Sequence, residues 1–348
     1  MRIKISNRFG TEPLVIGSAH LARRLSGAAI DPGTDRRVTF SGAAHVTVPV
    51  GALVLSDPVE LKAPPLSDLA VSLYFPQPAK ANTMHAMALQ TNYIAAGSGD
   101  ATGAPDLPQA TTTTTWHFLT GIDVHTHGAQ AVVALGDSIT DGGNSTTDAN
   151  LRWPDVLAQR LQQHHDLRRL GVINQGIIGN RILHPTGPDY ANLFGPSALA
   201  RFDQDVLAQP GVSYVIVLLG INDIGHPNSA APASEEVSAE EIEAGLAQFI
   251  ERAHEKGLKI FGATLTPFEG TTIENYFTVE REAKRQSVNL WIRNSAKFDA
   301  VIDFDAAVRD PSHPSRILPA YDSGDHLHPS DAGQNALGEA IPLRLFEN

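Results

Sequence analysis

The sequence predicts two domains: an antiparallel β-sandwich-like domain over residues 1–127, then an α/β domain built on a parallel sheet over 128–348. Three observations predict this. The chain has 348 residues, long for one domain and comfortable for two. Up to about Gly128 the apolar residues come in short alternating runs separated by Gly, Pro, Asn and Asp, the texture of an antiparallel sandwich. From Ala131 onward, apolar runs alternate with amphipathic stretches of helical period, the signature of repeated βαβ units.

In the first part the strands are expected at "RIKIS", "LVIGSAHLA", "RRVTFSG", "HVTVPVGALVL", "LAVSLYF" and "TTTTTWHFLTGIDV". In the second part five strands follow in order: "AVVALG", "LGVINQG", "VSYVIVLLG", "LKIFGATLTP" and "DAVIDF". Helices are expected between them at "RWPDVLAQRLQQHH", "ALARFDQDVLAQ", "SAEEIEAGLAQFIERAHEK" and "VEREAKRQSVNLWIRNSA", with "SDAGQNALGEAIPLRLF" closing the chain. Ser238 three residues ahead of Glu241 predicts a capping box, and Gly257 falls where a helix C-terminal glycine belongs.

Composition narrows the function classes. Lys plus Arg number 26 against 38 Asp plus Glu, a formal net charge of -12. So acidic a surface repels phosphate backbones, and no basic patch interrupts it, so no nucleic-acid partner is expected. There are no cysteines, which removes thiol nucleophiles, thiolate metal sites and disulfides. No apolar run approaches the roughly 20 residues that span a bilayer, so no membrane insertion is expected. The N-terminus "MRIKISNRFG" reads as a strand and lacks the features of a signal peptide, so the chain is read as cytoplasmic, or as secreted with a leader missing.

In an open parallel sheet, ligands sit outside the carboxyl ends of the strands. The first such end is "LGDSIT", where Gly136, Asp137 and Ser138 could form an ordinary turn or present a nucleophile. The second is "NQGIIGNR", with Gly176 and Gly179 placed to aim backbone amides into the crevice. The third is "GINDIG", with Asn222, and with Asp223 expected as a structural cap. Beyond the fifth comes "SGDHLHPSDAG", with Asp325 and His328. Together these ends supply a hydroxyl, a glycine amide, a side-chain amide, and an acid with an imidazole, which is the inventory of acyl transfer.

Each part has a chemical reason. A serine hydroxyl needs an imidazole to take its proton, and the imidazole needs an acid to fix its tautomer. Attack on an ester carbonyl develops negative charge on oxygen, which the Ser138 and Gly179 amides and the Asn222 side chain could stabilise. Gly176 is the rival of Gly179, and a glycine at either place could serve only a tight loop. No G-x-S-x-G elbow occurs, which disfavours the usual α/β-hydrolase arrangement.

The blocks "GDSIT", "GIIGN", "GIND" and "DHLHP", in this order, resemble the four blocks of the SGNH (GDSL) hydrolases. Longer strings, "RWPDVLAQRL", "NDIG", "TLTPFEG", "WIRNSAKFDAVIDFD", "DHLHPSDAG" and "SNRFGTEPL", resemble a branch of that family with an N-terminal β-domain. The resemblance implies a three-layer α/β/α, flavodoxin-like sheet and a GDSL-type serine esterase. It implies Ser138 as nucleophile, Asp325 and His328 as its triad partners, and Ser138, Gly179 and Asn222 as the oxyanion hole. No metal and no organic cofactor is implied, so activity is expected to survive a chelator and to rise with pH as His328 loses its proton.

The spacing of "DHLHP" is repeated in "DPSHP" at Asp310–Pro314. That second pair lies in a Pro-rich connection and is read as a solvated loop, whereas "HPSDAG" leads into the last helix and resembles the family's own entry to it. His326 is read as a loop or pocket-wall residue, and His226 as a surface residue. Asp123, His125 and His127 alternate along "GIDVHTH" and are read as one face of a surface strand rather than a metal site.

The expected reaction is hydrolysis of carboxylic esters with small acyl groups through an acyl-enzyme, on a small-molecule or carbohydrate substrate. An acetylesterase acting on acetylated polysaccharide is the alternative. A non-catalytic carbohydrate-binding protein is disfavoured by the intact blocks and by an aromatic content of 6%. A glycoside hydrolase would need two acids about 5 to 10 Å apart in the crevice, which the strand-end acids do not offer.

Overall fold

The computed structural model describes residues 1–95, 97, 99–187 and 191–347. The chain divides into two compact units, Met1–His127 and Gly128–Asn348.

The first unit is antiparallel β throughout its described sheets. Arg2–Ser6 lies between Leu119–Asp123 and Leu53–Leu55, and Ser18–Ser26 pairs with Ala29–Ile30, Arg36–Val38 and Leu69–Tyr74. Alternation decides which side chains enter the core: Ile3 and Ile5 meet Ile16, Leu21, Val38, Val48 and Phe118 in one apolar cluster. The run "LVIGSAHLA" is split at Gly17, where a Cβ would stand 2.9 Å from the Tyr74 ring. Phe118, at φ 63°, breaks the threonine-rich run into shorter strands. Met84–His85, Asn92–Ile94 and Ala29–Ile30 are strands too short to show alternation in the sequence. The strand read through "GIDVHTH" ends at Asp123, which pairs with Lys4 at 2.8 Å; His125 and His127 lie beyond it, off the ladder.

The second unit is an α/β fold on five parallel strands. In chain order these are β1 (Gln130–Gly136), β2 (Leu170–Gly176), β3 (Val212–Leu218), β4 (Lys259–Ala263) and β5 (Ala300–Ile302), arranged β2-β1-β3-β4-β5. The interior strand β1 buries Val132, Val133, Ala134 and Leu135 completely, since both its faces are covered. Each large aliphatic side chain so buried contributes about 1.5–3 kcal/mol.

The helices of this unit include α1 (Ser138–Asp141), α2 (Trp153–Gln163), α3 (Ala198–Phe202), α4 (Ile221–Gly225), α5 (Ala239–Glu255), α6 (Val279–Asn294), α7 (Phe304–Val308) and α8 (Asp331–Glu339), with a further short turn of helix over Ala191–Phe194. One group, α2, α7 and α8, packs together, and another joins α3, α5 and α6. Helix α5 begins with the capping box: Glu241 N–H donates to Ser238 Oγ at 3.2 Å and Ser238 N–H to Glu241 Oε2 at 2.8 Å. It ends near Gly257, at φ 70°. Ile242, Leu246, Phe249, Ile250 and Ala253 form its buried stripe at helical spacing.

Several expected elements are shorter than their apolar patterns. The stretch after α3 continues as a π-helical turn over Asp203–Leu207. "DAVIDF" yields only Ala300–Ile302, because Asp303 accepts the Ala306 N–H and starts α7. The closing helix stops at Glu339, since Pro342 has no N–H to continue it, and a 3₁₀ turn follows over Leu343–Phe346. The "DPSHP" stretch is not a plain loop: Arg309–Asp310 and His313–Ile317 pair as a short antiparallel hairpin. Among the described residues no helix is long and apolar enough to cross a membrane.

Candidate active site

Three strand ends and one loop converge. At the end of β1, Asp137 caps α1 by accepting the Ile139 N–H at 3.0 Å, which starts a helix on Ser138 itself. This four-residue helix holds the Ser138 hydroxyl against the loop before α8. There His328 Nε2 lies 2.8 Å from Ser138 Oγ, and His328 Nδ1 lies 2.6 Å from Asp325 Oδ2.

Asp325 is surrounded by donors. Its Oδ1 accepts the His328 N–H at 2.8 Å, the Leu327 N–H at 3.0 Å and the Ser323 hydroxyl at 3.2 Å. Its Oδ2 also accepts from Asn144 Nδ2 at 2.8 Å. Burial raises the carboxyl, but the bonds from His328 and Leu327 outweigh it and hold Asp325 well below the usual carboxylate range. The loop is braced from outside by the Thr272 N–H, which donates to the Asp325 carbonyl at 3.0 Å. Asp322 Oδ1 accepts the N–H groups of Gly324 and His326. Gly143 gives His328 room, since a Cβ there would sit 3.0 Å from the imidazole Cδ2.

Of the two glycines after β2, the structure separates the roles. The Gly176 N–H is used by Asn174 Oδ1 at 2.8 Å, and a Cβ at Gly176 would meet the Asp141 backbone N at 2.2 Å. Gly176 therefore serves close packing against α1. Gly179 has φ 68° and lies flat against the Phe194 ring, where a Cβ would overlap at 2.4 Å. Neither the Gly179 nor the Ser138 amide donates to any described residue.

Asn222 opens α4 after β3. Its Nδ2 donates one hydrogen to the Asn180 carbonyl at 3.0 Å, and its Oδ1 accepts the Tyr276 hydroxyl at 2.8 Å. The Asn180 carbonyl, which can only accept, thus fixes which end of the amide is the donor, leaving the second Nδ2 hydrogen for another acceptor. Asn180 is held in turn by Arg201, whose guanidinium also donates to the Gly136 and Gln175 carbonyls at 2.9 and 2.8 Å. One buried cation therefore ties the ends of β1 and β2 together.

Asp223 is a cap of a different kind from the one expected. Its two oxygens accept the N–H groups of Ile182 and Leu183, at 2.8 and 3.0 Å, so it anchors the loop after β2 rather than its own helix. His226 is not a surface residue. It is 5% exposed, wedged between Phe194 and Tyr276, and burial pushes it down to about 3, so it stays neutral. His326 sits in the loop at φ 60°, bonded to Asp322.

Sequence reasoning passed over Asn144, Ser323, Tyr276 and Arg201. Their function is to hold other side chains, and no strand end or spacing marks them. Among the described residues no group of acids and histidines is arranged to hold a metal.

Asp137 is completely buried, and its Oδ2 meets no partner among the described residues. Burial pushes its carboxyl up to about 7, against the Ile139 N–H, which lowers it. A buried acid that holds its proton costs stability once the unfolded chain ionises above its ordinary value of 3.8. Asp137→Asn is therefore expected to stabilise the fold by on the order of 2 kcal/mol at pH 8 and by almost nothing at pH 4. Thermal melts at the two pH values check this, and an equal shift at both would refute it.

Among solved structures the chain is similar to several esterases. One is an aryl esterase from M. smegmatis, at 18% identity over 61% of this chain and 96% of that one, with a TM-score of 0.47. A second is a catalytic mutant of an acetylxylan esterase from Geobacillus stearothermophilus, at 22% identity over 65% of this chain and 97% of that one, with a TM-score of 0.45. A third is a GDSL-like lipase from Bacteroides thetaiotaomicron, at 18% identity over 63% of this chain and 89% of that one, with a TM-score of 0.44. No curated protein matches. The family model for GDSL-like lipases and acylhydrolases matches residues 132–341, which spans all four strand-end blocks. The chain belongs to the GDSL-like lipase/acylhydrolase family.

Proposed function

We propose that this protein is a serine esterase that hydrolyses carboxylic esters with small acyl groups through an acyl-enzyme. The observation that carries the reading is the continuous line Ser138 Oγ, His328 Nε2, His328 Nδ1, Asp325 Oδ2, with contacts of 2.8 and 2.6 Å. Ser138 Oγ attacks the ester carbonyl while His328 takes its proton, and Asp325 steadies the imidazolium that forms. The oxyanion is received by the Ser138 and Gly179 amides and the remaining Nδ2 hydrogen of Asn222. His328 then protonates the departing alcohol. In the second half it activates water, which releases the acid and restores the Ser138 hydroxyl.

The small acyl preference is supported by the Phe194 ring against Gly179, with His226 behind it, which fills the space beside the oxyanion donors. The same reading takes the catalytic unit as a three-layer α/β/α, flavodoxin-like sheet and the N-terminal unit as a β-sandwich. The substrate is a small-molecule or carbohydrate ester, with neither nucleic acid nor membrane insertion involved. Each step uses only side chains and backbone amides of this chain, with water for deacylation, so neither metal nor organic cofactor is needed.

Rapid mixing with p-nitrophenyl acetate in the presence of a chelator is the direct test. The expected result is a burst of about one p-nitrophenolate per chain, with an acetyl group on Ser138 by mass spectrometry. Activity abolished by the chelator would mean the serine mechanism is wrong.

Asn222→Ala should lower kcat by about 10²–10³, as loss of one oxyanion donor does elsewhere. KM should change little, because the bond is made mainly in the transition state. Steady-state kinetics decide; an effect confined to KM would place Asn222 in ground-state binding instead.

A further inference from the structure

Among the donors around Asp325, Asn144 stands apart because it comes from the nucleophile's side of the site. It follows α1, with its backbone at φ 62°. Its turn is tied to α1 by the Gly143 N–H, which donates to the Ser138 carbonyl at 2.7 Å. It is tied to the start of α8 by Thr146, whose N–H donates to Asp331 Oδ1 at 2.9 Å and whose hydroxyl donates to Asp331 Oδ2 at 2.5 Å. One short segment is thus fixed both to the helix that carries Ser138 and to the helix that follows His328.

From there the Asn144 amide closes a ring of hydrogen bonds. Its two Nδ2 hydrogens reach Asp325 Oδ2 at 2.8 Å and Ser323 Oγ at 3.0 Å, while the Ser323 hydroxyl donates to Asp325 Oδ1 at 3.2 Å. The oxygen that Asn144 meets is also the one that His328 Nδ1 meets, at 2.6 Å. Amide and imidazole therefore draw on the same carboxylate oxygen. A donor fixed there takes up part of the negative charge that would otherwise face His328, and so limits how far Asp325 favours the imidazolium. Asn144 itself is exposed, so these bonds, rather than core packing, are what its side chain contributes.

We propose that Asn144 is a positioning residue for the triad: it holds the Asp325 carboxylate toward His328 and, by sharing its oxygen, sets the pH at which His328 can take the Ser138 proton. The inference rests on the ester-hydrolase reading above and adds a control of its pH dependence.

Other ionisable groups surround the pair. Asp137, at the start of α1, is buried and close enough to His328 to feel its charge. Asp141, at the end of α1, accepts the Ile178 N–H at 3.1 Å, Asp331 of α8 is held by Thr146, and Asp322 of the triad loop bonds His326. All of them are retained in an Asn144 variant, so a difference between the two proteins reports the amide.

The test uses Asn144→Gly, since glycine adopts a positive φ without strain and only the side chain is lost. In kcat/KM for p-nitrophenyl acetate against pH, the acid limb is expected to move to higher pH by about half a unit, one hydrogen bond to the carboxylate being gone. A loss of rate at every pH with the limb in place would make Asn144 a strut and overturn the proposal. A second comparison needs no catalysis: the His328 ring is titrated by NMR in Ser138→Ala and in Ser138→Ala combined with Asn144→Gly. A displacement to higher pH in the double variant supports the proposal, and identical titrations overturn it. A wild-type chain inert toward the ester while the NMR titration moves would instead defeat the esterase reading and leave the coupling of Asn144 to His328 standing.

Discussion

Ser138→Ala should lower kcat/KM for p-nitrophenyl acetate by roughly 10⁴–10⁶-fold. The size of the effect follows from the division of labour at the site. Without the hydroxyl no acyl-enzyme can form, and His328 has no proton to take. What remains is the oxyanion hole and whatever water can reach the carbonyl. Stability should hardly change: Ser138 is buried but makes one side-chain hydrogen bond, to His328, and Ala is at home in the first turn of α1. A thermal melt close to wild type is therefore the control. A folded variant that hydrolyses the ester at the wild-type rate would return Gly136-Asp137-Ser138 to the status of a strand-ending turn.

How much of this was legible in the sequence depends on which forces act locally. The interior parallel strands announce themselves because both faces are covered, so β1 and β3 read as near-continuous apolar runs that end at the residues of interest, whereas the edge strand β2 is only partly buried and carries Asn174 and Gln175. The capping box of α5 is equally visible, being complete within four residues. Where β4 and β5 stop is not, because Asp303 ends β5 through a bond to Ala306 that outcompetes strand continuation. The two units differ in the same way, since the long strands of the first show alternation while its two- and three-residue strands carry too few side chains to show any.

At the site, the strand-end rule brings Ser138, Gly179, Asn222, Asp325 and His328 to notice because each occupies a position the topology marks. It cannot find Tyr276 or Arg201, which act on Asn222 and Asn180 from remote segments by satisfying buried polar groups. His226 was misplaced for a related reason. Its burial is set by Phe194 and Tyr276, 32 residues before it and 50 after it, and nothing in "GINDIGH" records their approach.

Asp325→Asn should cost roughly 10⁴ in kcat, more than its near-identical shape suggests. Every contact of the carboxylate is with a donor: His328 Nδ1 and Asn144 Nδ2 at one oxygen, the Leu327 and His328 amides and the Ser323 hydroxyl at the other. An amide in either orientation must turn its NH₂ toward one of these sets. Turned toward His328, it favours the imidazole tautomer with the proton on Nε2, which cannot accept from Ser138. Turned the other way, it opposes the loop amides and shifts the imidazole with them.

Stability should report the same group independently. Because the folded carboxyl is held below its ordinary value of 3.8, its contribution is present above that value and is lost as pH falls through the folded one. The difference in unfolding free energy between wild type and Asp325→Asn should thus be largest near neutrality and shrink on acidification. Denaturant titrations at pH 7 and at about pH 3 would show it. A difference that stayed constant would mean the donors around Asp325 stabilise the loop without favouring its charge, and the anionic partner of His328 would have to be sought elsewhere.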